Sequence, residues 1–269
     1  MTATSLDLIE ASPLPRHEAI RLLTSATGHG RPEILCGVEV TDSQAVSFKA
    51  LEARRISGEP LQYIEGDVPF GDASIAVDER ALIPRPETEE MFHLACGLAD
   101  RPERVVDLCT GSGNLAVALA AEFPDAQVWA TELSTDAATL ARANVERNAV
   151  TVTVLEGDLF GPLPNELRGR VDLLVTNPPY LAEAELAALP DDVRREPQGA
   201  LVGGPLGNEI IERIARQAPT WLAPEGVVVC EISEFDAAQT VALFGHMDAE
   251  VRTDMFGKHR FVVANARVE

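Results

Sequence analysis

The sequence predicts an α/β protein: a mostly parallel sheet covered by helices on both faces, preceded by a small helical segment. Two observations predict it. From Arg104 onward, short apolar runs alternate with stretches of helical length, and strands alternating with helices imply parallel pairing through crossovers. The last such region, "AEVRTDMFGKHRFVVANA", reads as two strands joined through Gly257, which adds an antiparallel strand. At 269 residues the chain is long enough for one large domain or two smaller ones.

The elements follow in order. "RHEAIRLLTSATG" places Ala19, Leu22 and Leu23 together and stops at Gly28 and Gly30, as a helix does. "TDSQAVSFKALEARRISGEP" opens on Thr41 or Asp42 as N-cap and ends at Gly58 with Pro60 beyond. Its Ala45, Phe48, Leu51 and Ala53 lie near one face. A helical, substrate-recognising domain is expected over residues 1–74, and a hairpin or linker over 75–90. The linker ends at Pro84-Arg85-Pro86, where Glu87 and Glu89 favour a helix start. The third domain, 91–269, carries the strand–helix alternation: "RVVDLC", "AQVWATEL", "VTVLEGDLF", "VDLLVTNPPY" and "GVVVCEI" as strands, with helices between them.

Composition excludes several function classes. An apolar fraction of 46% argues against disorder. No apolar run is long enough for a bilayer, and the first residues lack a secretory pattern, so a soluble cytoplasmic protein is expected. A formal net charge of −21 counts against direct nucleic-acid binding, which needs Lys and Arg on phosphates. The four cysteines and five histidines show no metal-ligand spacing, and no metal is expected.

"VVDLCTGSGNLAVALA" is strand, glycine turn and helix. Asp107 closes the strand; Cys109, Thr110, Gly111, Ser112 and Gly113 make the turn. Leu115 and Ala116 stand where a dinucleotide fingerprint has its third glycine, and no GK[ST] follows, so a phosphate-bearing ligand is disfavoured. About twenty residues on, Glu132 ends the next strand, where an acid accepts from ribose hydroxyls. Asp158 follows the third strand, placed to take an adenine amino group, with Leu159 against the base. Acids at three successive strand ends beside a glycine loop suit an adenosine without phosphates, and S-adenosylmethionine (SAM) is the inferred cofactor.

The fourth strand ends in Asn177-Pro178-Pro179-Tyr180. The prolines fix φ and remove two N–H donors, leaving carbonyls free to accept. Asn177 supplies another acceptor oxygen, and Tyr180 a flat face. Taken alone the motif could be only a stiff exit from a strand. Beside the SAM-type constellation it forms a cage for a planar NH2.

These features together resemble the class I amino-methyltransferases that act on planar NH2 groups, which include DNA adenine and cytosine methyltransferases. The whole chain is similar to one branch, the glutamine N5-methyltransferases of peptide chain release factors. "ALEARRISGEPLQYIEGDVPFG", "ALIPRPETEEM", "NPPYL", "VRREPQGALVGGPLGNEI" and "DMFGKHRFVV" carry the resemblance, in that order. It implies a Rossmann-like, seven-stranded methyltransferase sheet with a small N-terminal helical domain. It implies methyl transfer from SAM to the glutamine of a release factor's Gly-Gly-Gln loop. By motif position, Cys109 to Gly113, Glu132, Leu159 and Asn177 contact SAM, and Asn177 to Tyr180 hold the glutamine amide. A cytoplasmic monomer whose partner is the release factor is expected.

Two positions depart from the family pattern. Cys109 stands where the loop usually begins with Gly, which is tolerable if its φ is negative. Ser233, in Glu231-Ile232-Ser233, stands where the family tends to have Gly, near the expected rim of the site. They keep open a paralogue that methylates an amide, guanidine or amine of a small metabolite. The acidic charge and the match outside the Asn-Pro-Pro-Tyr motif count against a DNA methyltransferase, and retention of that motif against a non-catalytic SAM-binding protein.

Overall fold

A computed structural model describes residues 3–267. The contacts divide it into two compact units. The first takes the described residues as far as Gly66 together with Pro190–Arg195; the second takes Asp67–Leu189 and the described residues from Glu196 on.

The first unit is helical. It opens with β1 (Ala3–Thr4), followed by α1 (Ser5–Glu10), α2 (Arg16–Thr27) and α3 (Arg31–Leu35). Then come β2 (Glu39–Val40), which pairs with β1, α4 (Asp42–Ile56) and α5 (Leu61–Glu65). Thr41 is the N-cap of α4: its hydroxyl accepts Gln44 N–H while Gln44 Oε1 accepts Thr41 N–H, a reciprocal capping box. Leu22 and Leu23 of α2, Ile34 and Phe48 are fully buried together. The inner stripe of α4 runs through Ala45, Phe48 and Glu52, not Ala53, which is exposed. Three- and four-residue steps from Phe48 reach Leu51 and Glu52, so Ala53 falls outside the face. Glu52 is buried and takes Lys49 at 2.7 Å. The helices α1, α3 and α5 went unread, because five or six residues are too few to show a helical period.

The second unit begins with a hairpin of β3 (Asp67–Phe70) and β4 (Ala73–Ala76). The hairpin ends at Ala76, just inside the expected 75–90 stretch, and the contact units divide at Gly66. The cause is local: Asn144 takes Ala76 N–H at 2.8 Å and gives its own N–H to Ala76 O, fastening β4 to this unit. After α6 (Pro86–Leu98), which starts on Pro with Glu87 and Glu89 in its first turn, the alternation proceeds as expected. It runs β5 (Arg104–Leu108), α7 (Asn114–Glu122), β6 (Gln127–Glu132), α8 (Thr135–Arg147), β7 (Thr153–Glu156) and β8 (Val171–Thr176). A small pair, β9 (Leu181–Ala182) and β10 (Val202–Gly204), intervenes before α9 (Glu209–Trp221). The chain closes with β11 (Leu222–Glu231), α10 (Ala237–Leu243), β12 (Asp248–Thr253) and β13 (His259–Asn265).

Seven strands form one sheet in the order β12-β13-β11-β8-β5-β6-β7. The five from β11 to β7 run parallel, and β13 is antiparallel to both of its neighbours. Four residues of β5 are buried in succession, as a strand covered on both faces requires. The register aligns Thr131, Leu108, Thr176 and Cys230 across β6, β5, β8 and β11. The next residue of each strand is Glu132, Cys109, Asn177 and Glu231, so four separate segments reach the carboxyl edge in one row.

Gly113 joins the first turn to α7. Its φ is +83°, and a Cβ there would stand 3.1 Å from Ala141 Cβ of α8. Gly113→Ala therefore adds left-handed strain to an overpacked helix contact, a loss of about 2–4 kcal/mol. Urea unfolding of the variant against the parent chain measures it.

Candidate active site

A cavity of about 310 Å³ opens at the carboxyl edge of the sheet, lined from the ends of β5, β6, β7 and β8. At the end of β5, Cys109, Thr110, Gly111 and Ser112 line it. Asp107 and Gly113 do not. Asp107 lies fully buried beneath the turn, where Thr110 Oγ1 donates to its Oδ2 at 2.5 Å. Burial pushes its pKa up to about 7, against the pull of Thr110 and of the Ala116 N–H. Asp107 thus shapes the loop from below. Asn144 of α8 holds the same loop from the side, donating to Ser112 O at 2.8 Å.

Cys109 corrects one expectation. Its φ is +58°, in the left-handed region, so the condition for a comfortable Cβ is not met. A side chain there costs about 1–2 kcal/mol. Leu159, also on the cavity wall, is left-handed too, at +48°.

At the end of β6, both oxygens of Glu132 are fixed: Oε2 accepts Gly111 N–H at 2.8 Å and Oε1 accepts Ser134 N–H at 2.9 Å. Two backbone donors orient the carboxylate and leave each oxygen a further lone pair, the arrangement a ribose diol needs. Asp158 lines the cavity beyond β7, but its carboxylate pairs with Arg213 of α9. Both groups are more than a third exposed, so the pair is a weak one that a competing donor can displace.

At the end of β8, Asn177 and Pro179 line the cavity; Pro178 is buried, and Tyr180 stands behind the lining. Asn177 Nδ2 donates to Thr88 Oγ1 of α6 at 3.0 Å. Thr88 Oγ1 in turn donates to Glu231 Oε2 at 2.7 Å, and the Tyr180 hydroxyl to Glu231 Oε1 at 3.3 Å. Glu231 is buried. Burial lifts its pKa to about 7 and Glu87 adds to the rise, while Thr88, Arg260 and Tyr180 oppose it. Burial and Glu231 together also raise the Tyr180 phenol. Behind the turn, Gly203 lies so close that a Cβ would sit 2.4 Å from Pro179 O and 2.0 Å from Gly207 O. The otherwise unexplained "VGGPLG" is thus the backstop of the proline turn.

Sequence reasoning missed Thr88, Glu196 and the role of Glu231. Glu196 accepts Ile83 N–H at 2.9 Å and pairs with Arg85, so it holds another wall of the cavity. Ser233, expected at the rim, is absent from the lining, and its hydroxyl accepts Phe235 N–H at 3.4 Å.

The residues present fit SAM. An oriented acid, an apolar wall at Leu133 and Leu159, and open space where a Gly111 side chain would stand suit a nucleoside. Arg85, the one cation among the described lining residues, is engaged by Glu196, which disfavours a phosphate ligand. Among the described residues no group of three or more His, Cys, Asp or Glu could hold a metal ion, and no helix is long and apolar enough to cross a membrane.

Comparison with known proteins agrees with this geometry. Residues 93–191 match the family model described as the methyltransferase small domain, and residues 2–66 the PrmC N-terminal domain. The chain is 38% identical over 259 residues to the release factor glutamine methyltransferase of Deinococcus radiodurans, which covers 94% of this chain and 91% of that one. It is 39% identical over 258 residues to the release factor glutamine methyltransferase of Mycolicibacterium smegmatis, with 93% and 90% covered. Among solved structures, the catalytic domain of hMettl16 in complex with MAT2A 3'UTR hairpin 1 superposes with a TM-score of 0.59. That match covers 92% of this chain and 91% of the other at 18% identity, a likeness of fold alone.

The two raised acids fix a pH dependence of stability. Unfolded, they titrate near 3.9 and 4.3, about three units below their folded values. Between those limits the folded chain binds more protons than the unfolded one, so stability falls as pH rises. Their contribution is complete below about pH 4 and is lost through about 7. Thermal unfolding of the unliganded chain should show a lower midpoint at pH 8 than at pH 5.5, and Glu231→Gln should flatten that slope.

Proposed function

The chain belongs to the release factor glutamine methyltransferase family and is a SAM-dependent enzyme, and we propose that Asn177, Pro178, Pro179 and Tyr180 hold its acceptor. The acceptor is the side-chain amide nitrogen of the glutamine in the Gly-Gly-Gln loop of a peptide chain release factor. One observation carries the reading: Asn177 Nδ2 is committed to Thr88, which leaves Oδ1 as the end available to a ligand's N–H.

An amide nitrogen is a poor nucleophile because its lone pair is delocalised into the carbonyl. Two acceptors on its two N–H bonds, Asn177 Oδ1 and the Pro178 carbonyl, hold it while the lone pair turns toward an electrophile. The prolines contribute by absence, having no N–H to compete for those oxygens. The help is positioning and electrostatic stabilisation. SAM, when bound, supplies the electrophilic methyl group. The S–CH3 bond of the sulfonium would break as the N–C bond forms, and the proton, acidic once the nitrogen is methylated, would pass to solvent, so no strong base is required.

Cys109 to Ser112, Glu132, Asp158 and Leu159 are proposed to bind SAM, with Asp107 and Gly113 shaping the loop. Asp158 would hold the adenine amino group in place of Arg213, its present partner. The helical first unit is proposed to recognise the body of the release factor, and the enzyme to act as a cytoplasmic monomer without nucleic-acid binding. The metabolite-acceptor alternative is not favoured: the relatives matched over more than nine-tenths of the chain are release factor glutamine methyltransferases, and Ser233 lies off the cavity lining.

Incubated with the enzyme and SAM, the Gly-Gly-Gln peptide of a release factor should gain the mass of one methyl group, and Gln→Ala in that loop should abolish labelling. Asn177→Ala should lower turnover by about a hundredfold or more while calorimetry still detects SAM binding. Unchanged turnover would refute the amide clamp.

A further inference from the structure

Resting on that reading, we propose that Thr88 and Glu231 are positioning residues that decide which end of the Asn177 amide faces the acceptor, and so make the site select an NH2 over a carboxylate. A threonine hydroxyl carries a single proton. Glu231 Oε2 takes it at 2.7 Å. What Thr88 Oγ1 has left is lone pairs, so the Asn177 atom 3.0 Å away must be a donor, Nδ2. Oδ1 is then the end left for the cavity. Nothing in Asn177 itself breaks the symmetry between its two ends; the carboxylate two bonds away does.

The same carboxylate takes the Tyr180 hydroxyl on its other oxygen. One buried group thus orients both the acceptor end and the aromatic end of the proline turn. The relay joins three segments far apart in sequence: α6, the end of β8 and the end of β11. None of the hydrogen bonds is local, the partners lying 89, 143 and 51 residues apart.

The relay is reversible by one proton. If Glu231 is protonated, its O–H donates to Thr88 Oγ1, and the Thr88 hydrogen is released toward Asn177. The amide then turns Oδ1 to Thr88 and Nδ2 to the cavity. A donor facing the cavity suits the oxygen of a glutamate, and repels the NH2 of a glutamine. The groups facing Glu231 are Glu87 on α6, Tyr180 after β8 and Arg260 on β13; the first opposes ionisation, and the other two favour it. With burial included, the balance falls at about 7. The acceptor-presenting state is therefore the alkaline one.

The test compares the parent chain with Thr88→Val, which keeps the shape and loses the hydroxyl, and Thr88→Ser, which keeps the hydroxyl. The first readout needs no acceptor: proton exchange of the Asn177 side-chain amide by 15N NMR, its signal identified by its loss in Asn177→Asp. At pH 8 the parent and Thr88→Ser should show a protected Nδ2 proton, and Thr88→Val should not. In the parent, protection should fade as pH drops through about 7. The second readout is methyl transfer to the release-factor loop peptide. Thr88→Val should lower kcat by about ten- to a hundredfold with SAM affinity unchanged, and Thr88→Ser should restore most of it. Thr88→Val should also lose preference for the glutamine loop peptide over its Gln→Glu counterpart in competition binding. Protection that is equal in Thr88→Val and the parent, or damage that is equal in Val and Ser, overturns the relay. A parent chain that protects Asn177 but does not methylate the glutamine overturns the assigned acceptor and leaves the relay standing.

Discussion

The site depends on strand register. In a parallel sheet neighbouring chains lie about 4.8 Å apart, and residues in one row share a face. Once Leu108 is aligned with Thr131 and Thr176, and Thr176 with Cys230, the next four residues are brought together whatever their distance in sequence. Thr176 reinforces the alignment with its hydroxyl, which donates to Leu108 O at 2.9 Å. The glycine turn and the proline turn are therefore side by side because β5 and β8 are, and the buried acid at the end of β11 comes within reach of the proline turn by the same rule.

This explains what was legible in the sequence and what was not. Each strand end carries a local signature: glycines after β5, an acid closing β6, an acid and a leucine after β7, prolines after β8. Those residues could be found one by one, and nearly all of them line or support the cavity. Thr88 could not. In "PRPETEE" it reads as an ordinary residue in the first turn of a helix, and that is also true of it. Its second role exists only because α6 packs where it can reach Asn177 and Glu231. The pairing of Asp158 with Arg213 is hidden for the same reason. Short helices and the exact hairpin position were lost differently, since five residues hold too little pattern to declare a period.

The structure also shows where the fold tolerates a conformational cost. Cys109 and Leu159 are both left-handed, and both sit on the wall of the cavity. Such residues persist when their surroundings over-determine them. For Cys109 the surroundings are the fixed end of β5, the Asp107–Thr110 bond beneath and Glu132 holding Gly111 alongside. A left-handed turn at that point keeps the loop curled around the space a ligand would fill, and the side chain there is a burden carried by the neighbours.

The buried acids have a consequence for the electric field. The formal charge of −21 counts every carboxyl as ionised. Asp107 and Glu231 are not constant contributors, because each changes its charge near neutrality. Both lie directly behind cavity-lining hydroxyls, where a charge is poorly screened. Across the neutral range the charge held behind the cavity wall therefore changes by up to two elementary charges. A cation such as a sulfonium resting among the strand ends lies closer to that change than a protein approaching from outside.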